Sequence, residues 1–209
     1  MQSKRREKRN ASSLALELRR QLVHAIAGMA TVIIILLFDR PLSQLALGLA
    51  VFATMLLVLY RRHRTELHKH FGLEALYRME TWIEMRIMDF ERPGEAMLRG
   101  PLLFFTGSLI VYEFFPLYTA IAAILVLAIS DSASTLVGRI WGTHRLPVNR
   151  QKTWEGSTAF FVGALAVLVF FTFPARAVSI ALAAAIVEMA PRMDDNITVP
   201  IAVALMLIL

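Results

Sequence analysis

From Ser130 to Ser157 the chain reads SDSASTLVGRIWGTHRLPVNRQKTWEGS, a polar stretch between two strongly apolar segments. Asp131, Thr135 and Gly138 fall at i, i+4 and i+7 on one helical face, with Arg139 and Gly142 just beyond. A carboxylate at the end of an apolar run is costly to place unless it meets a cation or a metal. Gly138 and Gly142 form a small-xxx-small pair, which by itself signals close helix packing. The loop from Thr143 to Gln151 carries Arg145 and Arg150, and Pro147 and Asn149 mark a turn. Lys152 follows, then Thr153 as a candidate N-cap of the next helix, whose first turn holds Glu155 and Gly156. Helix N-terminal amides beside a lysine suit a phosphate, and Glu155 can cap the turn or help hold a cation. The competing reading is a basic loop with a capped helix. No GxxxxGK[ST] run occurs, so this is not a P-loop.

Two other polar sets accompany this one. Glu17, Arg20, His24 and Gly28 are spaced by three, four and four residues and share one face of a helix. Glu17 and Arg20 can pair, His24 lies a turn further on, and Gly28 admits a close neighbour. Juxtamembrane polar residues with a packing histidine would look the same. Near the C-terminus, Glu188, Arg192, Asp194, Asp195 and Asn196 precede Pro200. Adjacent carboxylates and an amide offer the oxygen ligands that Mg²⁺ takes together with phosphate and water. A hydrophilic turn is the alternative there. His63, His68 and His70 lack a ligand geometry and read as a solvated surface.

The elements that must position these residues are apolar. The 209-residue chain is 57% hydrophobic, with a mean hydropathy of +0.59, more than a soluble domain of this length absorbs. Apolar runs cover about 22–38, 42–60, 101–115, 117–130, 158–173, 176–190 and 199–209. Several are shorter than the roughly 20 residues of a straight transmembrane helix, so the polar motifs are expected to prolong them. These runs predict an all-α polytopic membrane protein with about seven transmembrane helices. With a cytoplasmic N-terminus, the inner segments hold about 20 of the 22 Lys and Arg residues, and only Arg40 and Arg176 fall outside. This positive-inside bias places every polar motif on the cytoplasmic face of a cell membrane. The net charge of +6 is accounted for by the same bias, and no nucleic-acid partner is expected. Without cysteines the chain has no disulfide, thiolate metal site or cysteine nucleophile. Residues 1–16 read as a basic cytoplasmic tail, 17–209 as one transmembrane catalytic domain, and 61–100 as a cytoplasmic amphipathic loop within it. The first apolar run lacks a small-residue cleavage site and reads as a retained helix.

The order D-x-x-S-x-x-x-G-R-x-x-G, then K-T-x-E-G-S, then E-x(5)-D-D-N-x-x-x-P resembles the polyprenol kinase family, which includes dolichol, phytol and CTP-dependent diacylglycerol kinases. The E-x-x-R-x-x-x-H-x-x-x-G stripe at 17–28 fits the same pattern, and the likeness runs from about 17 to 203. It implies transfer of the γ-phosphate of a nucleoside triphosphate, usually CTP, to the hydroxyl of a long-chain lipid alcohol of the polyprenol or diacylglycerol kind. Mg²⁺ or another divalent cation would assist. Carried over, Lys152 and Thr153 would contact the triphosphate and Arg139 would stabilise charge. Asp131, Asp194 and Asp195 would be metal ligands or the base, with Asn196 and Glu155 in support. The catalytic candidates are thus Asp131, Lys152, Asp195 and His24. The nucleotide contacts are Arg139, Lys152, Thr153, Glu155 and Gly156, and the metal set is Asp131, Asp194, Asp195 and Asn196.

The KTWEG run also occurs in the related CTP:phosphatidate cytidylyltransferases, which make CDP-lipids. Those enzymes end in a lysine-containing acidic motif, whereas no lysine follows Lys152 here, which favours the kinase. A small transporter would carry charges near the bilayer midplane, and these spans are nearly free of charge. The expected partners are a lipid alcohol, a nucleoside triphosphate and the membrane, and a homo-oligomer is compatible with the sequence.

Overall fold

The computed structural model describes residues 2–71, 98–190 and 194–209. Among these residues there are seven helices and no strand, with one isolated bridge between Arg145 and Thr153. They are α1 (Gln2–Leu37), α2 (Arg40–Phe71), α3 (Arg99–Phe114), α4 (Leu117–Ile140), α5 (Trp154–Leu168), α6 (Pro174–Glu188) and α7 (Asp195–Ile208). Each of the seven apolar runs has its helix. Three segments are long and apolar enough to cross a membrane: Leu14–Leu37, Arg40–Tyr60 and Leu117–Ile140. The other four helices are 14 to 16 residues long, or about 21–24 Å at 1.5 Å per residue.

The polar motifs do prolong the apolar runs. The run ending at Ser130 continues as helix to Ile140, α5 begins at Trp154, and α7 begins at Asp195. The basic N-terminal segment is part of α1, which is helical from Gln2 onward. Its Lys, Arg and Glu residues are good helix formers and no Gly or Pro interrupts them. Residues 61–71 likewise continue α2 rather than forming a loop. Most of the amphipathic 61–100 stretch, with Trp82 to Phe90, lies outside the described residues, as does Arg192. The side chains of His68 and His70 are outside them too, and His63 is exposed.

α4 is the central element. Ala120, Ala122, Ala123, Ile124, Val126, Leu127 and Ala128 are all fully buried, and the alanines let neighbours approach on several sides. α5 adds Phe160, Ala164 and Leu168, spaced at i, i+4 and i+8, to the same buried core. α1 and α2 instead expose rows of Leu, Ile and Phe, among them Leu22, Ile26, Ile33, Leu45, Leu49 and Phe52. Such rows suit hydrocarbon, not water.

Two glycines set the approach of helices around the polar end. A Cβ on Gly28 would collide with Ala128 Cβ, so α1 can lie against α4 only with glycine there. A Cβ on Gly107 would collide with the Asn196 carbonyl. That carbonyl has no helical donor at position 200, because Pro200 lacks an N–H. At the opposite end Arg40 donates to the carbonyls of Tyr112 and Glu113, and Arg176 to those of Met206 and Leu207. Each outlying arginine thus satisfies the open C-terminal carbonyls of a neighbouring helix.

Candidate active site

The loop between α4 and α5 is folded tightly back on itself. Leu146 N donates to Lys152 O and Trp154 N to His144 O, both at 3.0 Å, while the Leu146 side chain is buried. Glu155 fastens the start of the loop, accepting from Thr143 Oγ1 and His144 Nδ1 at 2.7 Å and from both backbone amides. Thr153 caps α5, its hydroxyl accepting from Gly156 N at 3.1 Å. Gly138, Gly142 and Gly156 surround Thr153, so the start of α5 sits directly on the end of α4. This scaffold carries Lys152 inward.

Lys152 Nζ lies 2.5 Å from Asp195 Oδ2, 2.8 Å from Glu188 Oε1 and 2.6 Å from the Glu188 carbonyl oxygen. Glu188 is 1% exposed, and a carboxylate so buried must be paired and hydrogen-bonded. Ser134 Oγ donates to its Oε1 at 2.9 Å and Ser157 Oγ to its Oε2 at 3.0 Å. The end of α6 is thereby tied to α4, α5 and the lysine loop. Burial alone would lower the pKa of Lys152, but the charges of Asp195 and Glu188, with the hydrogen bonds to both, outweigh it and hold it above its ordinary value.

The neighbouring wall comes from α1 and α4. Asp131 ends a five-residue π-helical segment, Leu127–Asp131, a distortion that redirects side chains and is frequent at functional sites. Its Oδ2 stands 3.8 Å from His24 Nε2. That nitrogen is buried and makes no hydrogen bond, and the imidazole packs edge-on against Phe104 at 5.0 Å between ring centroids. Asp131 is near enough to Asp195 for their charges to repel. Two turns back on α1, buried Glu17 faces Arg20 at 3.4 Å and Arg139 at 3.8 Å, and accepts from Gln21 at 3.1 Å. Ser132 Oγ donates to the Gln21 carbonyl and closes the joint between the two helices.

The two adjacent acids part company. Asp194 caps α7, its Oδ1 accepting from the backbone and side-chain nitrogens of Asn196 at 3.2 and 3.0 Å, and its Oδ2 faces Arg99 at 3.5 Å. Asp195 turns to Lys152. Asn196 Oδ1 is buried without a hydrogen-bond partner. Among the described residues, no three His, Asp or Glu side chains form a ready cage for a metal ion.

The structure therefore brings together Lys152, Asp195, Asp131 and His24, with Arg139 on the Glu17 side. It places Thr153 and Gly156 beneath the lysine as its support, and Glu155 at the far side of the loop. Glu188, Ser134 and Ser157 stand in the sequence motifs but had no role assigned to them, and Gln21 is not a motif residue. Glu188 carried a signal as an acid directly after an apolar run, like Asp131.

Curated proteins similar to the chain are kinases. A probable chloroplastic phytol kinase of Triticum aestivum is 33% identical over 146 residues, covering 58% of this chain and 48% of that protein. The chloroplastic farnesol kinase of Arabidopsis thaliana is 32% identical over 143 residues, 58% of this chain and 47% of that protein. A phytol kinase of Synechocystis sp. is 37% identical over 101 residues, 43% of each chain. The chain spans about half the length of the curated relatives it matches. No family model matches it, and no solved structure does. These similarities bear out the resemblance drawn from the motifs: the chain is similar to phytol and farnesol kinases, which supports a polyprenol-type kinase.

Proposed function

We propose that the protein is a lipid-alcohol kinase that transfers the γ-phosphate of CTP to the hydroxyl of an isoprenoid alcohol at the cytoplasmic face of a cell membrane. The observation that carries this reading is the convergence of Lys152, Asp195, Asp131 and His24 at one end of an apolar bundle. Phosphoryl transfer needs little covalent chemistry from a protein; positioning and charge neutralisation do most of it. Lys152, with Arg139 nearby, supplies fixed positive charge for the triphosphate. The 3.8 Å gap between His24 Nε2 and Asp131 Oδ2 suits an alcohol oxygen that bonds to both. As the oxygen forms its bond to the γ-phosphorus, the bond to the β-phosphate oxygen breaks and the hydroxyl proton passes to Asp131. Phe104 and the apolar faces of α1 and α4 receive the chain of the alcohol. The phytol and farnesol kinases among the relatives support an isoprenoid acceptor over a diacylglycerol.

Mg²⁺ fits the residues present in a limited way. Asn196 Oδ1 is buried without a hydrogen-bond partner, Asp195 and Asp131 are near enough for their charges to repel, and Mg²⁺ ordinarily takes one or two carboxylates with phosphate oxygens and waters. Asp195, Asp131 and Asn196 would hold it, while Asp194 is engaged as a cap. When bound, the ion would neutralise charge on the phosphates.

The reading is tested with protein in nanodiscs, Mg²⁺, CTP or ATP, and a panel of farnesol, phytol, longer polyprenols, diacylglycerol and phosphatidate. Phosphorylated isoprenoid alcohol formed with CTP is expected. Conversion of phosphatidate alone would point to the cytidylyltransferase chemistry that shares the KTWEG run.

A further inference from the structure

We propose that Glu188 is a positioning residue that anchors Lys152 throughout turnover, and that the donor phosphate displaces Asp195, not Glu188, from the lysine. The inference rests on the kinase reading above for the identity of the phosphate. An ammonium group has three N–H donors. In Lys152 all three have protein acceptors: Glu188 Oε1 at 2.8 Å, the Glu188 carbonyl at 2.6 Å and Asp195 Oδ2 at 2.5 Å. A phosphate oxygen that binds this lysine must therefore replace one of them.

The three are not equally replaceable. The carbonyl belongs to the last residue of α6 and is fixed by the backbone. The Glu188 carboxylate is held on both oxygens by Ser134 and Ser157, and leaving Lys152 would strand a buried charge. Asp195 has no such enclosure. Its side chain is 20% exposed against 1% for Glu188, it opens the first turn of α7, and Asp131 repels it. Phosphate oxygens reaching Lys152 take the place of Asp195, whose carboxylate is then free to face the cation or the acceptor. Glu188 keeps the amine in place during the exchange. The two carboxylates that look equivalent in the ion cluster thus have separate tasks, one constant and one exchanging.

The test uses the full chain in nanodiscs, which has only four lysines, so that the signals of biosynthetically incorporated [ε-¹³C]lysine, whose amine keeps all three N–H donors, can be assigned by substitution. The Lys152 signal is expected to stand apart from the solvated lysines and to shift on addition of Mg²⁺ and tripolyphosphate. Glu188→Gln should collapse it toward the solvated signals. Ser157→Ala should move it the same way by less, which covers the case of a poorly folded Glu188→Gln protein. Asp195→Asn should leave it apart. In kinetics Glu188→Gln should lower kcat by about 100-fold through a misplaced amine, with the KM for the alcohol changed less than about twofold. Collapse in Asp195→Asn with no change in Glu188→Gln would overturn the assignment, as would a Lys152 signal indifferent to both. A wild-type protein without kinase activity would defeat the functional reading, and the lysine signals would still decide the anchor.

Discussion

Lys152 and Asp195 are 43 residues apart in sequence and meet at 2.5 Å, with buried Glu188 completing the contact from a third segment. The pair closes the polar end of the bundle, because it joins the α4–α5 loop to the start of α7. Both the stability of this end of the bundle and the proposed chemistry depend on it.

Replacing Lys152 by Met leaves Glu188 buried without its cation. Breaking such a pair from one side costs about 3–5 kcal/mol. The Lys152→Met/Glu188→Gln double variant removes both charges and should recover much of that loss. Thermal or denaturant unfolding of the four proteins in detergent gives the coupling directly. A double variant no more stable than Lys152→Met would mean that the pair contributes little.

The pH dependence of that contribution has a definite sign. The Lys152 pKa is raised from 10.5 in the folded state, so the charged amine's stabilisation is fully present below that value. It is lost as pH rises through the higher folded pKa. Once Asp195, whose carboxyl burial pushes up to about 7, is ionised, the difference in Tm between wild type and Lys152→Met should stay level to about pH 10 and narrow above that. A difference that already disappears near neutrality would contradict the ion cluster.

Asp131→Asn removes the proposed proton acceptor while preserving size and polarity. A general base is worth about 10²–10⁴-fold in rate, so kcat should fall in that range. The measurement is steady-state kinetics with the alcohol saturating. A variant with wild-type kcat would remove Asp131 from the reaction.

Gly28→Ala tests the contact that brings His24 to Asp131. The added Cβ meets Ala128 across the α1–α4 interface, and overpacking of this sort costs about 1–3 kcal/mol. A lower Tm and a lower kcat are expected together, because the displaced helix carries His24. An unaltered Tm would show that α1 does not sit against α4 in this way.

Much of this arrangement was legible in the sequence, for identifiable reasons. Apolar runs marked all seven helices because a helix packed among apolar neighbours needs a continuous apolar segment. The stripe Glu17, Arg20, His24 and Gly28 was visible because helical spacing fixes which side chains share a face, and the structure gives each of them a contact on α4 or within α1. Thr153 was readable as a cap from its place before an apolar run. The parting of Asp194 and Asp195 was not, since adjacent acids look alike until a helix start assigns one to its own amides. Nor was the grip of Glu188 on Lys152, 36 residues away, because long-range pairing leaves no periodic trace.

The central claim is tested most directly by following the two ends of the CTP triphosphate. Purified protein in nanodiscs is incubated with Mg²⁺, farnesol or phytol, and CTP labelled at either the γ or the α position. The account predicts that the γ label appears in the lipid as an alkyl monophosphate and the α label stays in CDP. Lipid carrying the α label, with the γ label released in pyrophosphate, would contradict it.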